Sequence, residues 1–137
     1  MSKTLTVEGD ITAVDTRTLI TTQGSVTAPS LVVPAGAKKI DKIFVAASAE
    51  GLADGSATFL LRLGGGAVMN GEQVIVIAAA GRIAPQAGSD AAPQVGLLFR
   101  LNDANIDVAQ SDSVVISAEM AGNDLGTARV AVTLVFA

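Results

Sequence analysis

Along most of this 137-residue chain, apolar and polar positions alternate with a period of two. "ATFLLRL" sets Ala57, Phe59, Leu61 and Leu63 on one side, with Thr58, Leu60 and Arg62 on the other. "SVVISAEM" sets Val114, Ile116, Ala118 and Met120 against Val115, Ser117 and Glu119. "TARVAVTLVF" sets Ala128, Val130, Val132, Leu134 and Phe136 against Arg129, Ala131 and Thr133. Strand side chains point alternately to the two faces, so each pattern predicts a strand with one buried face. Further strands are predicted over 4–8, 11–22 (bent), 26–33, 39–48, 73–80, 95–101 and 105–108. Few windows sustain the 3.6 period of an amphipathic helix. Breaks rich in Gly and Asp at 49–56, 64–72, 80–93 and 121–126 separate the strands, and two prolines within 80–93 predict an exposed loop there. No internal repeat or linker divides the chain. Residues 1–137 therefore read as one all-β domain, an antiparallel β-sandwich, with a two-sheet jelly roll preferred to an immunoglobulin-like topology.

Apolar matching also predicts how the last two strands pair. A hairpin that sets Met120 opposite Ala128 brings Ala118 to Val130, Ile116 to Val132 and Val114 to Leu134. It sets Glu119 opposite Arg129 on the outer face, so charge and apolar matching agree on one register.

One run breaks the alternation. "VIVIAAA", residues 74 to 80, carries no polar side chain. It falls far short of the ~20 residues that cross a bilayer as a helix. Continuous apolar runs mark strands covered on both faces, yet a two-layer sandwich covers one face of each sheet. Of the alternating sets Val74, Val76, Ala78, Ala80 and Ile75, Ile77, Ala79, one must fill the core while the other points outward. With Leu60 and Val115 on neighbouring outer faces, the outward set makes a patch too large for a comfortable monomer. Val74, Ile75, Val76 and Ile77 are therefore placed at or near a contact between identical subunits, with a closed trimer or pentamer favoured over open association.

Composition narrows the chemistry. Apolar residues make up 50% of the chain, mostly Ala, Val, Leu and Ile, and the four Phe are its only aromatics. Without His the commonest general base is missing, and without Cys there are no disulfides or thiolate metal sites. No G-x-S-x-G, Walker-type loop or H-E-x-x-H motif occurs, and the chain is not expected to be an enzyme. A carboxylate pair could serve a glycosidase, but sugar sites usually rest on aromatic platforms and there is no Trp or Tyr. The net charge of −4 argues against nucleic acid. Lys38, Lys39 and Lys42 read as a solvated strand start that discourages edge pairing. "RLGGGAV" at 62–68 reads as a hairpin loop rather than a phosphate cradle. "MSKTLTVEGD" holds no hydrophobic segment, so no signal peptide is expected.

One motif points to a metal. Asp103, Asn105 and Asp107 keep the D-x-N-x-D spacing that begins oxygen-only calcium loops, where alternate residues supply ligands. The Gly expected after Asp107 is Val108, and the Glu expected at the twelfth position is Val114. A polar turn is the preferred explanation, and no cofactor or metal is expected.

The stretches "LVVPAGAKKIDKIFVAAS", "ATFLLRLGG" and "IDVAQSDSVVISAEMAGNDLGTARVAVTLVF" cover about two-thirds of the chain. In their V-P-A-G lead into a strand and their closing strand pair they resemble the β-sandwich structural proteins of tailless icosahedral viruses and phages. The resemblance implies a non-catalytic subunit that assembles into a capsid or decorates one, with copies of itself and other coat proteins as partners. It implies a virion location after synthesis in the host cytoplasm. It supplies no individual site residue, and the absence of an obvious basic N-terminal arm counts against direct genome binding. The alternative is a recognition module binding a protein or carbohydrate through the 49–56, 64–72 and 80–93 loops.

Overall fold

Where the sequence alternates, the backbone is extended. The computed structural model describes residues 3–13, 15–23, 26–27, 31–50, 57–78, 94–122 and 128–137. Its strands are β1 (Lys3–Ile11), β2 (Thr18–Leu19), β3 (Thr22–Gln23), β4 (Val26–Thr27), β5 (Leu31–Val32) and β6 (Lys39–Glu50). They continue as β7 (Ala57–Gly64), β8 (Gln73–Ala78), β9 (Gln94–Leu101), β10 (Ile106–Asp107), β11 (Ser113–Gly122) and β12 (Ala128–Phe136). The expected strand at 11–22 is instead divided. β1 ends at Ile11, Asp15 turns with φ 56°, and β2 and β3 follow as two-residue pieces.

The strands form two antiparallel sheets. One runs β10-β6-β12-β1-β3-β4 with β9 also on β6; the other runs β2-β11-β7-β8 with β5 also on β11. The pairings have a simple order. β1 pairs with β12, β2 and β5 with β11, β6 with β9, and β7 with β8. First meets last, second meets second-last, and so inward to the β7–β8 turn. The chain is thus an antiparallel ribbon folded at 64–73, then rolled so that β12 meets β6 and β11 meets β7. That wrapping is a jelly roll.

Rolling turns the apolar side of every long strand inward. Ile43, Val45, Val130, Val132 and Leu134 of the first sheet share one core with Phe59, Leu61, Leu63, Ile77, Ile116 and Met120 of the second, all at most 4% exposed. Each such side chain contributes about 1.5–3 kcal/mol of transfer free energy. The ladder between β6 and β12 slips once, at Val135/Phe136, leaving Asp41 without an opposite residue. Its carbonyl accepts the Ala104 N–H at 2.8 Å and is thereby satisfied at the irregularity.

The expected hairpin between the last two strands is not formed. Met120 lies opposite Phe59, and Ala128 lies between Ile11 and Ala49, in the other sheet. Glu119 stands opposite Leu60, and Arg129 stands between Asp10 and Ser48. The faces were nonetheless assigned correctly: Val114, Ile116, Ala118, Met120, Ala128, Val130, Val132, Leu134 and Phe136 are all buried. Two rows that both face inward match equally well across a core and across a hairpin. In a rolled ribbon the last two strands belong to opposite sheets, and core packing is the match that is realised.

Candidate functional site

β8 is the outer strand of its sheet, held on one side by β7 through six consecutive pairs without a slip, from Thr58 opposite Ala78 to Leu63 opposite Gln73. Alternation divides the four residues placed at a subunit contact. Ile77 is buried at 2% exposure and Ile75 packs against the core, whereas Val74 and Val76 point outward at 51% and 61%. Leu60, half-buried, lies opposite Val76, and Arg62 lies opposite Val74. Val115, also half-buried, lies opposite Gly64. Among the described residues nothing covers the outward side chains of Val74 and Val76; Ala79 and Ala80 lie outside the described residues.

A chain of charges crosses the same outer face. Arg17 donates to Glu72, and its Nε donates to Ser117 Oγ at 3.0 Å. Arg62 stands 3.7 Å from Glu72 and donates to Glu119 Oε2 at 2.8 Å. Sequence placed Ser117 on the exposed side, yet it is 3% exposed, held under Arg17. Both carboxylates are held by guanidinium groups, an arrangement that braces the sheet rather than one that frees an acid or base. Across the other sheet, Arg129 donates to Asp10 at 3.1 Å and Glu8 at 2.9 Å, and these two, Asp10 first, raise its pKa above the ordinary arginine value. Sequence separations of 55 to 121 residues kept the Arg17–Glu72, Arg62–Glu119 and Arg129 pairs out of sight of any local motif.

The candidate calcium triad, read in preference as a polar turn, is spread along a connection. Asp103 and Asn105 both adopt left-handed backbone, φ 55° and 50°, which Asp and Asn tolerate better than most residues. Asn105 Oδ1 accepts from Lys39 Nζ at 3.3 Å, and Asp107 continues into β10 opposite Lys39. These conformations account for the residue types. Among the described residues no three acidic side chains are grouped to hold an ion. Lys39 also stands 3.8 Å from Asp41 at the start of β6, but β6 is paired with β12 on one side and with β9 and β10 on the other, so these lysines guard no free edge.

The glycine-rich loop closes one end of the sandwich. Ala67 and Val68 are buried, and the Ala67 N–H donates to the Ser113 carbonyl at 3.0 Å. Gly65 has φ 93°, and a Cβ on Gly66 would lie 2.9 Å from the Asp112 carboxylate oxygens. A carboxylate so close repels a phosphate. Of the other loops offered to a recognition module, 51–56 and 80–93 lie outside the described residues.

One surface had no sequence signal. On the outside of the first sheet, Leu98 is 88% exposed beside a shallow groove floored by Phe44, Ala46, Ala131 and Thr133, and the Arg100 guanidinium sits 5.3 Å from the Phe44 ring centroid. It exists because β6, β9 and β12 lie side by side, which alternation within each strand does not reveal.

No family model matches this chain, and no curated protein matches it. Solved structures do. One, described as "Bacillus endospore appendages form a novel family of disulfide-linked pili", is 15% identical over 98% of this chain and 87% of its own, with a TM-score of 0.39. At that level the likeness carries no functional argument.

Proposed function

We propose that this protein is a non-catalytic structural subunit that assembles with copies of itself into a closed symmetric particle, of the capsid or capsid-decoration kind. The observation that carries the proposal is β8: a charge-free strand at a sheet edge, with Val74 and Val76 turned to solvent at 51% and 61% exposure. Apolar side chains grouped on a regular edge are costly for a subunit that stays alone. The jelly roll is compatible with a coat role but does not by itself assign one, since sandwiches host many functions.

Mass-calibrated light scattering and electron microscopy of the purified protein test this. A closed oligomer, a trimer or pentamer or a multiple of these, is the expected result. A monomer at high micromolar concentration overturns the proposal and favours the recognition module, for which Met69, 65% exposed in the 64–72 loop, is the one supporting observation.

A further inference from the structure

Sheet edges are usually protected. Short strands, charges, glycine kinks and bulges keep unpaired N–H and C=O groups from recruiting another chain. Most edges here follow that rule: β2, β4, β5 and β10 are two residues long, and β9 carries Arg100 and Gly96. β8 does not. Over Gln73–Ala78 it has no charge, proline or glycine, its ladder with β7 is unbroken, and among the described residues no strand pairs with its other side.

We propose that β8 pairs antiparallel with β8 of a second copy across a two-fold axis centred on Val76. This rests on the self-assembly proposed above and gives one of its contacts a register. Backbone geometry restricts the choice. Each residue aims both its N–H and its C=O to one side of the strand, and successive residues aim to opposite sides. In an antiparallel ladder, directly opposed residues either both aim at each other or both aim away. Two copies of one strand therefore pair only when the axis passes beside a residue, never between two. That rule also keeps inward residues opposite inward residues, so both cores stay on one side of a continuous sheet.

Two centres lie within reach. An axis at Ile75 would oppose Gln73 to the buried position of Ile77. At Val76, the pairs are Val74 with Ala78, Ile75 with Ile77, and Val76 with itself, so all five positions from 74 to 78 meet apolar partners. The outward valines of both copies then form one row. Charge is compatible with a second copy: Glu72, just outside the seam, is already held by Arg17 and Arg62. The contact is isologous and joins two copies, so a three- or five-fold ring would use a different surface, with β8 linking rings.

The chain has no cysteine, which makes a cross-linking test clean. Residues opposed on the axis have Cα atoms about 4.5–5.5 Å apart, within disulfide range. In Val74→Cys the two thiols are offset by four residues along the strands, about 13 Å, beyond that range. Under mild oxidation Val76→Cys is expected to form disulfide dimers at least ~10-fold faster than Val74→Cys. Val76→Lys, which opposes like charges on the axis, is expected to remain folded by circular dichroism and to lose the two-fold contact in native mass spectrometry. If the wild type assembles but Val76→Cys cross-links no faster than Val74→Cys, the register is overturned while self-assembly stands. If the wild type is monomeric, both proposals fail.

Discussion

The chain of charges across β2, β11, β7 and β8 offers a stringent test of which strands share a sheet. Arg62 and Glu119 are 2.8 Å apart and only 22% and 18% exposed. At an effective dielectric of about 20 their gross attraction is about 6 kcal/mol, most of it offset by the hydration both groups give up. Measured couplings for exposed pairs reach about 1 kcal/mol, and partial burial places this pair at that upper end. A double-mutant cycle of Arg62→Ala and Glu119→Ala should therefore give a coupling of about 1 kcal/mol, weakened by salt. The matching cycle of Glu119→Ala with Arg129→Ala should give no coupling beyond the additivity error of roughly 0.3–0.5 kcal/mol. Without Trp or Tyr the probe is far-ultraviolet circular dichroism in urea, read at a concentration where the association state is constant. Equal coupling in the two cycles, or coupling confined to Glu119 and Arg129, would refute the rolled topology and restore the hairpin.

Three further outcomes follow from burial and backbone. Phe136 is 1% exposed, so Phe136→Ala should cost about 3–5 kcal/mol in the same urea experiment, and removing the last few residues should cost solubility. Gly65→Ala would bring a Cβ to 2.5 Å from the Ser113 carbonyl oxygen at φ 93°, and should destabilise by about 2 kcal/mol or more, whereas Gly71→Ala meets no atom within 4 Å and should cost only its backbone strain. A strong chelator should leave the melting temperature unchanged; a drop reversed by calcium and abolished by Asp103→Ala with Asp107→Ala would restore the metal reading of that turn.

Period-two patterning carried the strands and their faces, because a strand has only two sides and the core takes one. Phe59, Leu61 and Leu63 were legible as core for that reason, as was the division of "VIVIAAA" into one inward and one outward set, though only the structure shows that the inward set is that of Ile77. Pairing partners were not legible. Met120 can match Ala128 or Phe59 equally by hydropathy, and the choice depends on where a third strand lies. The jelly roll and the terminal hairpin were in fact incompatible expectations, since rolling the ribbon separates its last two strands. β2 to β5 fall in or beside the strands predicted at 11–22 and 26–33, but their shortness was not legible because two-residue strands carry no period. The Phe44–Leu98–Arg100 groove and the Arg17–Glu72–Arg62–Glu119 chain are assembled from residues remote in sequence, and nothing local announces them.

The pairing of first strand with last also sets the order in which the protein can be made. β1 is synthesised well before β12, yet its long ladder is with β12, from Lys3 opposite Phe136 to Ile11 opposite Ala128. Until β12 is made, the ladder pairing open to β1 among the described residues is that of Glu8 with Thr22. A nascent chain therefore exposes the β12-facing edge of β1 until residues 128–136 have been made, and closing the roll joins the two long strands of the sandwich that lie farthest apart in sequence. Such non-local topologies fold slowly and are exposed to aggregation meanwhile. For this chain the vulnerable period ends only when β12 is free to dock.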